Sequence, residues 1–329
     1  MLATALAQSY KVAYGPDVQV DMLVRGEVAD LIRHCPAVGQ VHVFDKKESR
    51  IRQIITLSAQ FRLAHYDAVI NLQRYLTTGL VMALSGTPIK VGFAQNPVSF
   101  LFSHRLKHNF REGYHETQRN LALAQLAFPK LEWQRPLLVP DETDVALIAN
   151  LRSEKPSICL APASVWATKR VPDSFWIEAA MQAPDAYEIF WLGGKSDRIE
   201  IEQLAKKAGR GRVVAGDLTL MQSAELMRQS RITLANDSGP VHLASAVDAP
   251  ICAVYCSTAP VFGFYPISTQ SFIIEEKVGL HCRPCGIHGY NKCPRGHFLC
   301  GKLLNEQIAS VYAEAFSKPL VSDSVTNAS

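Results

Sequence analysis

The sequence lacks any apolar run long enough to cross a bilayer, and it has little excess of charge of either sign. No stretch approaches the roughly 18 consecutive apolar residues of a transmembrane helix. Residues 1–15 lack the basic start, long apolar centre and cleavage site of a signal peptide. The 34 Lys and Arg residues nearly balance the 30 Asp and Glu residues, which leaves a net charge of +4 and no argument for binding nucleic acid. We therefore expect a cytoplasmic protein, soluble or peripheral to a membrane, with no nucleic-acid partner.

The sequence also has too many apolar residues for a disordered chain, and it has no collagen-like repeat. Hydrophobic residues make up 48% and charged residues 19% of its 329 positions, a composition and length that suggest two domains with large cores. Short apolar runs alternate with helical patterns in both halves, which predicts two α/β domains with doubly wound parallel sheets. A charged, Pro-rich stretch between the halves sets the boundaries. We expect a first domain over residues 1–140, a linker over 141–156, a second domain over 157–318 and a tail over 319–329.

A strand-to-helix junction in the second half is the most informative segment. An apolar strand at 232–235 runs into Asn236-Asp237-Ser238-Gly239-Pro240, and a helical pattern follows. Asp237 or Ser238 suits the N-cap, the proline suits the first turn, and Gly239 lets a ligand approach the backbone. The N–H groups at the helix start then favour a phosphate, with His242 in the first turn. The same residues also suit an ordinary capped turn with a packed histidine.

The first loop of the second domain carries two adjacent basic residues. In the segment LAPASVWATKRVPDSFW, residues 160–176, a strand ends in a loop that includes Ser164, Lys169 and Arg170. A lysine supplies a point charge, and an arginine supplies a fork of hydrogen-bond donors. Both suit a pyrophosphate bound above a parallel sheet. The alternative is that the two residues are ordinary charged side chains on the solvated surface. The turn at Gly193 and Gly194 suits either a nucleotide or tight packing, because no complete G-x-G-x-x-G pattern is present.

Four of the eight cysteines lie in one short segment near the C-terminus, with the spacing Cys282-x2-Cys285-x7-Cys293-x6-Cys300. In a cytosolic chain such a cluster indicates metal or thiol chemistry. Four thiolates suit a structural zinc ion, but the spacing is not a standard zinc-finger spacing. Free thiols, disulfides and an iron–sulfur cluster therefore stay open. We expect this segment to be structural and independent of the two loops described above.

Several of these segments together resemble glycosyltransferase family 9, the ADP-heptose:lipopolysaccharide heptosyltransferases. The similar stretches are NDSGPVHLASAVDAPICAVY followed by Pro260, the loop APASVWATKRVP, the turn at 191–194, and CRPC with CPRGHFLC. The N-D-S-G form and the lysine-bearing loop resemble the heptosyltransferase II branch more than the I branch. The resemblance implies a GT-B fold, in which two Rossmann-like domains face a cleft, the first binding the acceptor and the second the nucleotide sugar.

The resemblance also implies a reaction and its site residues. Heptose would pass from ADP-heptose to the inner core of lipopolysaccharide with inversion, in one displacement and without an obligatory metal. The implied donor contacts are Ser164, Lys169, Leu218, Asp237, Ser238, Gly239 and His242, of which Lys169 would meet the phosphates and Leu218 would border the adenine. Because the lipid A–core acceptor is anionic, basic residues of the first domain are candidate contacts: Arg74, Lys90, Arg105 and Lys107. The alternatives are another nucleotide sugar as donor, or an inactive sugar-nucleotide-binding remnant.

The chain departs from the family pattern at two places. Family members begin with a strand and a loop resembling S-x-x-G-D, whose aspartate would be the general base. Here residues 1–6 already resemble the helix that follows that loop, so the catalytic residue is unknown and we expect a misassigned start codon or a truncated gene. The missing strand would be central in the acceptor sheet. The second departure is Tyr255-Cys256-Ser257, where the family usually has Tyr-Gly-Pro.

Overall fold

The computed structural model describes residues 1–45, 47–110 and 113–318, so the predicted tail at 319–329 lies outside the described residues. The chain divides into two compact units, Met1–Leu138 and Val139–Ser329. In the part that the structure describes, no helix has both the length and the apolarity needed to cross a membrane.

The first unit contains two separate parallel sheets. Strands β1 (Met22–Arg25) and β2 (Val41–Phe44) form one sheet, and β3 (Ala68–Asn71), β4 (Ile89–Phe93) and β5 (His104–Leu106) form the other. Among the described residues no strand pairing joins the two sheets, so the doubly wound sheet is interrupted in this unit. The helices are α1 (Thr4–Tyr14), α2 (Ala29–Arg33), α3 (Arg50–Leu63), α4 (Leu76–Leu84) and α5 (Glu116–Gln125).

The second unit is built on one parallel sheet of six strands. Its strands are β6 (Ser157–Ala161), β7 (Glu188–Trp191), β8 (Arg212–Val213), β9 (Ile232–Asn236), β10 (Ile251–Tyr255) and β11 (Ser271–Glu275). They lie in the order β11-β10-β9-β6-β7-β8. The chain therefore winds outwards in one direction from β6 and in the other from β9, which makes the gap between these two strands the topological switch point of the sheet.

Helices cover this sheet, and the central strands are buried along their whole length. Every residue of β6, β9 and β10 is buried, as their continuous apolar sequences require for strands covered on both faces. The helices are α6 (Glu142–Leu151), α7 (Asp173–Gln182), α8 (Arg198–Ala208), α9 (Leu220–Arg228), α10 (Gly239–Ala246), α11 (Leu299–Lys302) and α12 (Ile308–Ser317). The last of them packs on α7, where Tyr312 Oη donates to the carbonyl of Ala179 at 2.9 Å.

The segment predicted as a linker, 141–156, folds as part of the second unit. Asp141 caps helix α6 by accepting a hydrogen bond from the Asp144 amide at 2.8 Å. Ile148 is fully buried, and Arg152 donates to Gln229, the residue that follows α9, at 2.7 Å. These contacts stabilise residues 141–152 as a packed helix with one capping residue at each end.

Candidate functional site

Two of the predicted loops meet at the switch point of the six-stranded sheet. The loop 162–170 leaves the carboxyl end of β6, and residues 237–239 leave the carboxyl end of β9. These two strands pair in parallel, with Ala161 opposite Ala235 at the ends. Open parallel sheets bind ligands at this place, because the chain diverges to both sides and leaves a crevice.

Asn236 joins the two loops. Its side-chain amide donates to the carbonyl of Pro162 at 2.5 Å, and its side-chain oxygen accepts from the amide of Val171 at 3.1 Å. Asn236 is fully buried, so both hydrogen bonds are shielded from water. The loop that carries Lys169 is thus held at both of its ends by one side chain of β9.

Lys169 forms a buried ion pair with Asp237. The ammonium Nζ lies 2.6 Å from Oδ2 of the carboxylate, and the two side chains are only 15% and 6% exposed. The same ammonium donates to the carbonyl of Asp237 at 3.2 Å, and Thr258 Oγ1 donates to Asp237 Oδ2 at 2.6 Å. Solvated surface charge is therefore the wrong description of Lys169, while the prediction that Lys169 and Asp237 lie together at one site is consistent with this geometry.

The N-terminus of helix α10 opens beside this pair without a side-chain cap. Ser238 occupies the N-cap position, but its hydroxyl donates to the carbonyls of Ala163 at 3.3 Å and Asn236 at 3.2 Å. Ser238, one of the two predicted residues, therefore takes the N-cap position, but neither side chain caps the helix, because both make contacts in or near the lysine loop instead. A Cβ added at Gly239 would meet no atom within 4 Å, so open space lies next to the first turn.

The remaining predicted donor residues lie on the same edge of the sheet or close to it. Ser164 is buried in the lysine loop, and Leu218 is half-buried just before helix α9. His242 is half-buried in the first turn of α10, with its ring 6.1 Å from that of Phe264. Arg170 instead braces the loop, since Nε donates to the Ser164 carbonyl at 2.6 Å and Nη1 lies 2.8 Å from Glu200.

The glycine turn after β7 serves packing. A Cβ at Gly193 would lie 2.3 Å from Ile201 Cδ1, so a larger residue would require the Ile201 side chain to shift. The amide of Gly194 donates to Asp197 Oδ2 at 2.9 Å and closes the turn before α8. The structure favours the tight-packing alternative at this turn.

The four clustered cysteines are free thiols that converge without closing a metal site. Cys300 is buried and the other three are half-buried, and Cys282 Sγ lies 3.7 Å from His297 Nε2. Within the described residues, no three of these sulfurs come within 4.8 Å of one another. Burial, together with the neighbouring Cys285 thiol, raises the pKa of Cys300 to about 11. Although burial acts in the opposite direction, four backbone hydrogen bonds lower the pKa of Cys293 below its ordinary value.

The cysteine-rich segment also contacts the lysine loop, so the prediction that it is independent of the donor loops is wrong. The amide of Thr168 donates to the carbonyl of Tyr290 at 3.0 Å, and the amide of Tyr290 donates to Thr168 Oγ1 at 2.8 Å. Cys285 donates its amide to the carbonyl of Ser257 at 2.8 Å. The sequence analysis places Thr168 in the lysine loop and Ser257 at a departure from the family pattern without assigning their contacts, and it misses Thr258 and Tyr290. For Ser257 and Thr258 a signal existed, because both are polar and follow directly on the buried strand β10.

Among the basic residues predicted to meet an acceptor in the first unit, two are occupied locally. The Arg74 guanidinium lies over the ring of Phe110 at 4.7 Å, and Lys90 Nζ donates to the Thr87 carbonyl. Arg105 and Lys107 are exposed on and after strand β5. The predicted acceptor role of these residues stays a prediction.

A cluster of charged side chains surrounds Glu116, the first residue of helix α5. Glu116 contacts His108 Nε2 at 3.2 Å and Arg119 at 2.8 Å. Burial alone would raise the pKa of Glu116, but His108 and Arg119 outweigh it and hold the pKa below its ordinary value.

Comparison with known proteins matches the chain to one family of transferases. The family model for glycosyltransferase family 9 (heptosyltransferase) matches residues 54–286. The chain is 25% identical to lipopolysaccharide heptosyltransferase 1 of Pseudomonas aeruginosa, over 82% of this chain and 78% of that protein. It is 23% identical to lipopolysaccharide heptosyltransferase 2 of Escherichia coli K12, over 85% of this chain and 86% of that protein.

The fold is also that of solved heptosyltransferases. The structure of E. coli ADP-heptose lps heptosyltransferase II superposes with a TM-score of 0.75 at 20% identity, covering 96% of this chain and 94% of that one. This likeness confirms the predicted α/β fold with parallel sheets and its GT-B type. The match of the family model extends over more than half of the chain and includes both loops at the switch point. The chain belongs to glycosyltransferase family 9, the heptosyltransferase family, and is a glycosyltransferase.

Proposed function

We propose that this protein transfers heptose from ADP-heptose to the inner core of lipopolysaccharide, with inversion at the anomeric carbon. The observation that carries the proposal is the convergence of Lys169 and the open N-terminus of α10 at the switch point of the second unit's sheet. The proposed donor is supported by the E. coli neighbour, whose name includes ADP-heptose.

The donor diphosphate would bind where the two loops meet. Open space lies beside Gly239 at the uncapped N-terminus of α10, where free N–H groups and the helix dipole favour an anion. Lys169 supplies an ammonium at the same place, paired with Asp237 Oδ2 at 2.6 Å. Ser164 and Ser238 would line the diphosphate, His242 would face the sugar, and Leu218 would border the adenine.

The Lys169–Asp237 pair gives this site an electrostatic role in the reaction. The ammonium is neutralised by the carboxylate, so an incoming diphosphate would share it with Asp237. As ADP leaves, negative charge builds up on the diphosphate, and the lysine and the helix N-terminus would stabilise this charge in the transition state. No residue of this chain is assigned as the base that deprotonates the acceptor hydroxyl, and no metal is needed for the displacement.

The lipid A–core acceptor and the site of action belong to the same proposal. The acceptor is anionic, and Arg105 and Lys107 offer exposed positive charge in the first unit. Helix α3 presents a row of exposed apolar residues, Ile51, Ile55 and Leu63, beside the exposed Arg50 and Arg52. Such a basic, apolar face suits peripheral contact with an anionic bilayer at the cytoplasmic side of the inner membrane.

The cysteine cluster would hold a structural zinc ion. Four thiols and His297 supply suitable donor atoms, and at least some of these atoms would have to move closer together to bind one ion. Reduced protein purified anaerobically should then contain about one equivalent of zinc, as a closed four-thiolate site binds one ion. Metal analysis that finds neither zinc nor iron would remove this part of the proposal.

The donor is tested by calorimetry with a panel of nucleotides. ADP should bind at least about tenfold more tightly than UDP or GDP, because a site built for adenine leaves polar groups unpaired with another base. Tighter binding of UDP or GDP would favour another nucleotide sugar as donor. Product analysis by NMR with ADP-heptose and a core acceptor then tests transfer and inversion, and binding of ADP without turnover would favour the inactive remnant.

A further inference from the structure

The loop that carries Lys169 is held from two sides, and one of these sides is the cysteine-rich segment. On the first side, Asn236 binds the two ends of the loop as described above. On the other side, Thr168 and Tyr290 exchange two hydrogen bonds, of 3.0 and 2.8 Å, in a closed pair. Thr168 is 3% exposed, so this pair is shielded from water and ties the residue before Lys169 to residue 290.

Gly289 brings the backbone of that segment against the stem of the lysine. A Cβ added at Gly289 would lie 2.4 Å from Trp166 Cβ and 3.1 Å from Lys169 Cγ. Only a residue without a side chain fits at this distance. The segment therefore limits where the aliphatic part of Lys169 can lie, while Asp237 holds the ammonium.

Ser257 connects the same groups to strand β10. Its hydroxyl donates to Thr168 Oγ1 at 3.0 Å, and its carbonyl accepts from the Cys285 amide at 2.8 Å. Tyr290 Oη in turn donates to the carbonyl of Cys285 at 3.1 Å. The chain between Cys285 and Tyr290 is thus fixed at both ends to residues that contact the lysine loop.

We propose that Gly289 and Tyr290, acting through Thr168, are positioning residues that hold Lys169 where the donor diphosphate binds. This inference rests on the proposed function, because it assumes that Lys169 meets the diphosphate. Removal of Thr168 Oγ1 eliminates the acceptor for both Tyr290 and Ser257, and a methyl group at residue 289 displaces the stem of Lys169. Each change should move the ammonium without removing it.

The test measures ADP affinity by calorimetry and melting temperature for matched variants. Thr168→Val and Gly289→Ala should each weaken ADP binding by about tenfold, the effect of a misplaced charge-assisted contact. Thr168→Ser keeps the hydroxyl and should stay within about threefold of the parent. The control is Thr233→Val, the same change at a buried residue of β9 away from the loop, which should leave ADP affinity unchanged.

A second readout needs no ligand. Lys169 is largely buried against Asp237, so a water-soluble acylating reagent should modify it slowly in the parent and faster in Thr168→Val and Gly289→Ala. Lowered melting temperatures with parental ADP affinity and parental Lys169 reactivity would overturn the positioning role. If instead Lys169→Met binds ADP as tightly as the parent, the proposed function fails, while faster acylation of Lys169 in the two variants would still support its positioning.

Discussion

Breaking the buried Lys169–Asp237 pair should cost far more stability than breaking an exposed pair of the same chemistry. In Asp237→Ala the ammonium of Lys169 keeps only the backbone carbonyl at 3.2 Å, and the Thr258 hydroxyl loses its acceptor. Because the lysine is only 15% exposed, water solvates the unpaired charge poorly. Removing one partner of such a pair costs about 3–5 kcal/mol of unfolding free energy, and we expect the lower end, about 3 kcal/mol.

The matched control is the surface pair Lys207–Asp173. Its nitrogen–oxygen distance is 2.8 Å, close to that of the buried pair, but its side chains are 54% and 62% exposed. Asp173→Ala should therefore cost no more than about 1 kcal/mol. The double variant Lys169→Met/Asp237→Ala removes both buried charges and should be more stable than Asp237→Ala alone by about 1 kcal/mol or more.

Urea unfolding followed by tryptophan fluorescence measures these differences, because Trp176 and Trp191 are fully buried in the core of the second unit. The reasoning is refuted if Asp237→Ala is no less stable than Asp173→Ala. It is also refuted if the stability lost by the double variant equals the sum of the losses in Lys169→Met and in Asp237→Ala.

Three further predictions follow from other parts of the structure. Glu116 has a lowered pKa in the folded state, so it stabilises the fold above its ordinary value of 4.5, and this contribution is lost as the pH falls through the folded pKa. In Glu116→Gln the melting temperature should therefore fall less steeply with pH below 4.5 than in the parent. The same steepness in both proteins would contradict this. In the native, metal-free protein, iodoacetamide should modify Cys293 first, since its pKa is lowered, and should spare the buried Cys159, whose pKa burial raises to about 12. Mass spectrometry that finds Cys159 modified as fast as Cys293 would refute that order. Gly211→Ala should lower the melting temperature by several degrees, because residue 211 has φ +98° and the new Cβ would lie 2.4 Å from Trp191 Nε1; an unchanged melting temperature would show that the loop relaxes freely.

The strands and the loops at their ends were predictable from sequence, because buried parallel strands are continuous apolar runs. The runs at 41–44, 89–93 and 251–255 predict strands, and they coincide with β2, β4 and β10. Strand β5 was missed because it has only three residues, and β11 because its alternate residues are exposed, as befits an edge strand. The two loops that carry Lys169 and Asp237 were correctly placed after strands, since local patterns determine where a strand ends.

The contacts within the site were not predictable in the same way. The pairing of Lys169 with Asp237 depends on β6 and β9 being neighbours, which follows from the topology of the whole sheet. The contact of Thr168 with Tyr290 joins residues 122 positions apart, and nothing in the lysine-loop motif that contains Thr168 points to Tyr290. Gly289 is one glycine among 19, and only the distance to Trp166 shows why it must be small.

The central claim is that Lys169 at the switch point binds the donor diphosphate, and calorimetry of ADP binding with Lys169→Met tests it most directly. Methionine keeps the length and apolar stem of lysine and removes only the charge. The control Lys206→Met makes the same change at an exposed position on α8. ADP affinity should fall by about 10- to 100-fold in Lys169→Met, the effect of losing a charge-assisted contact, and stay at the parental value in Lys206→Met. Equal ADP affinity in both variants and the parent would contradict the account.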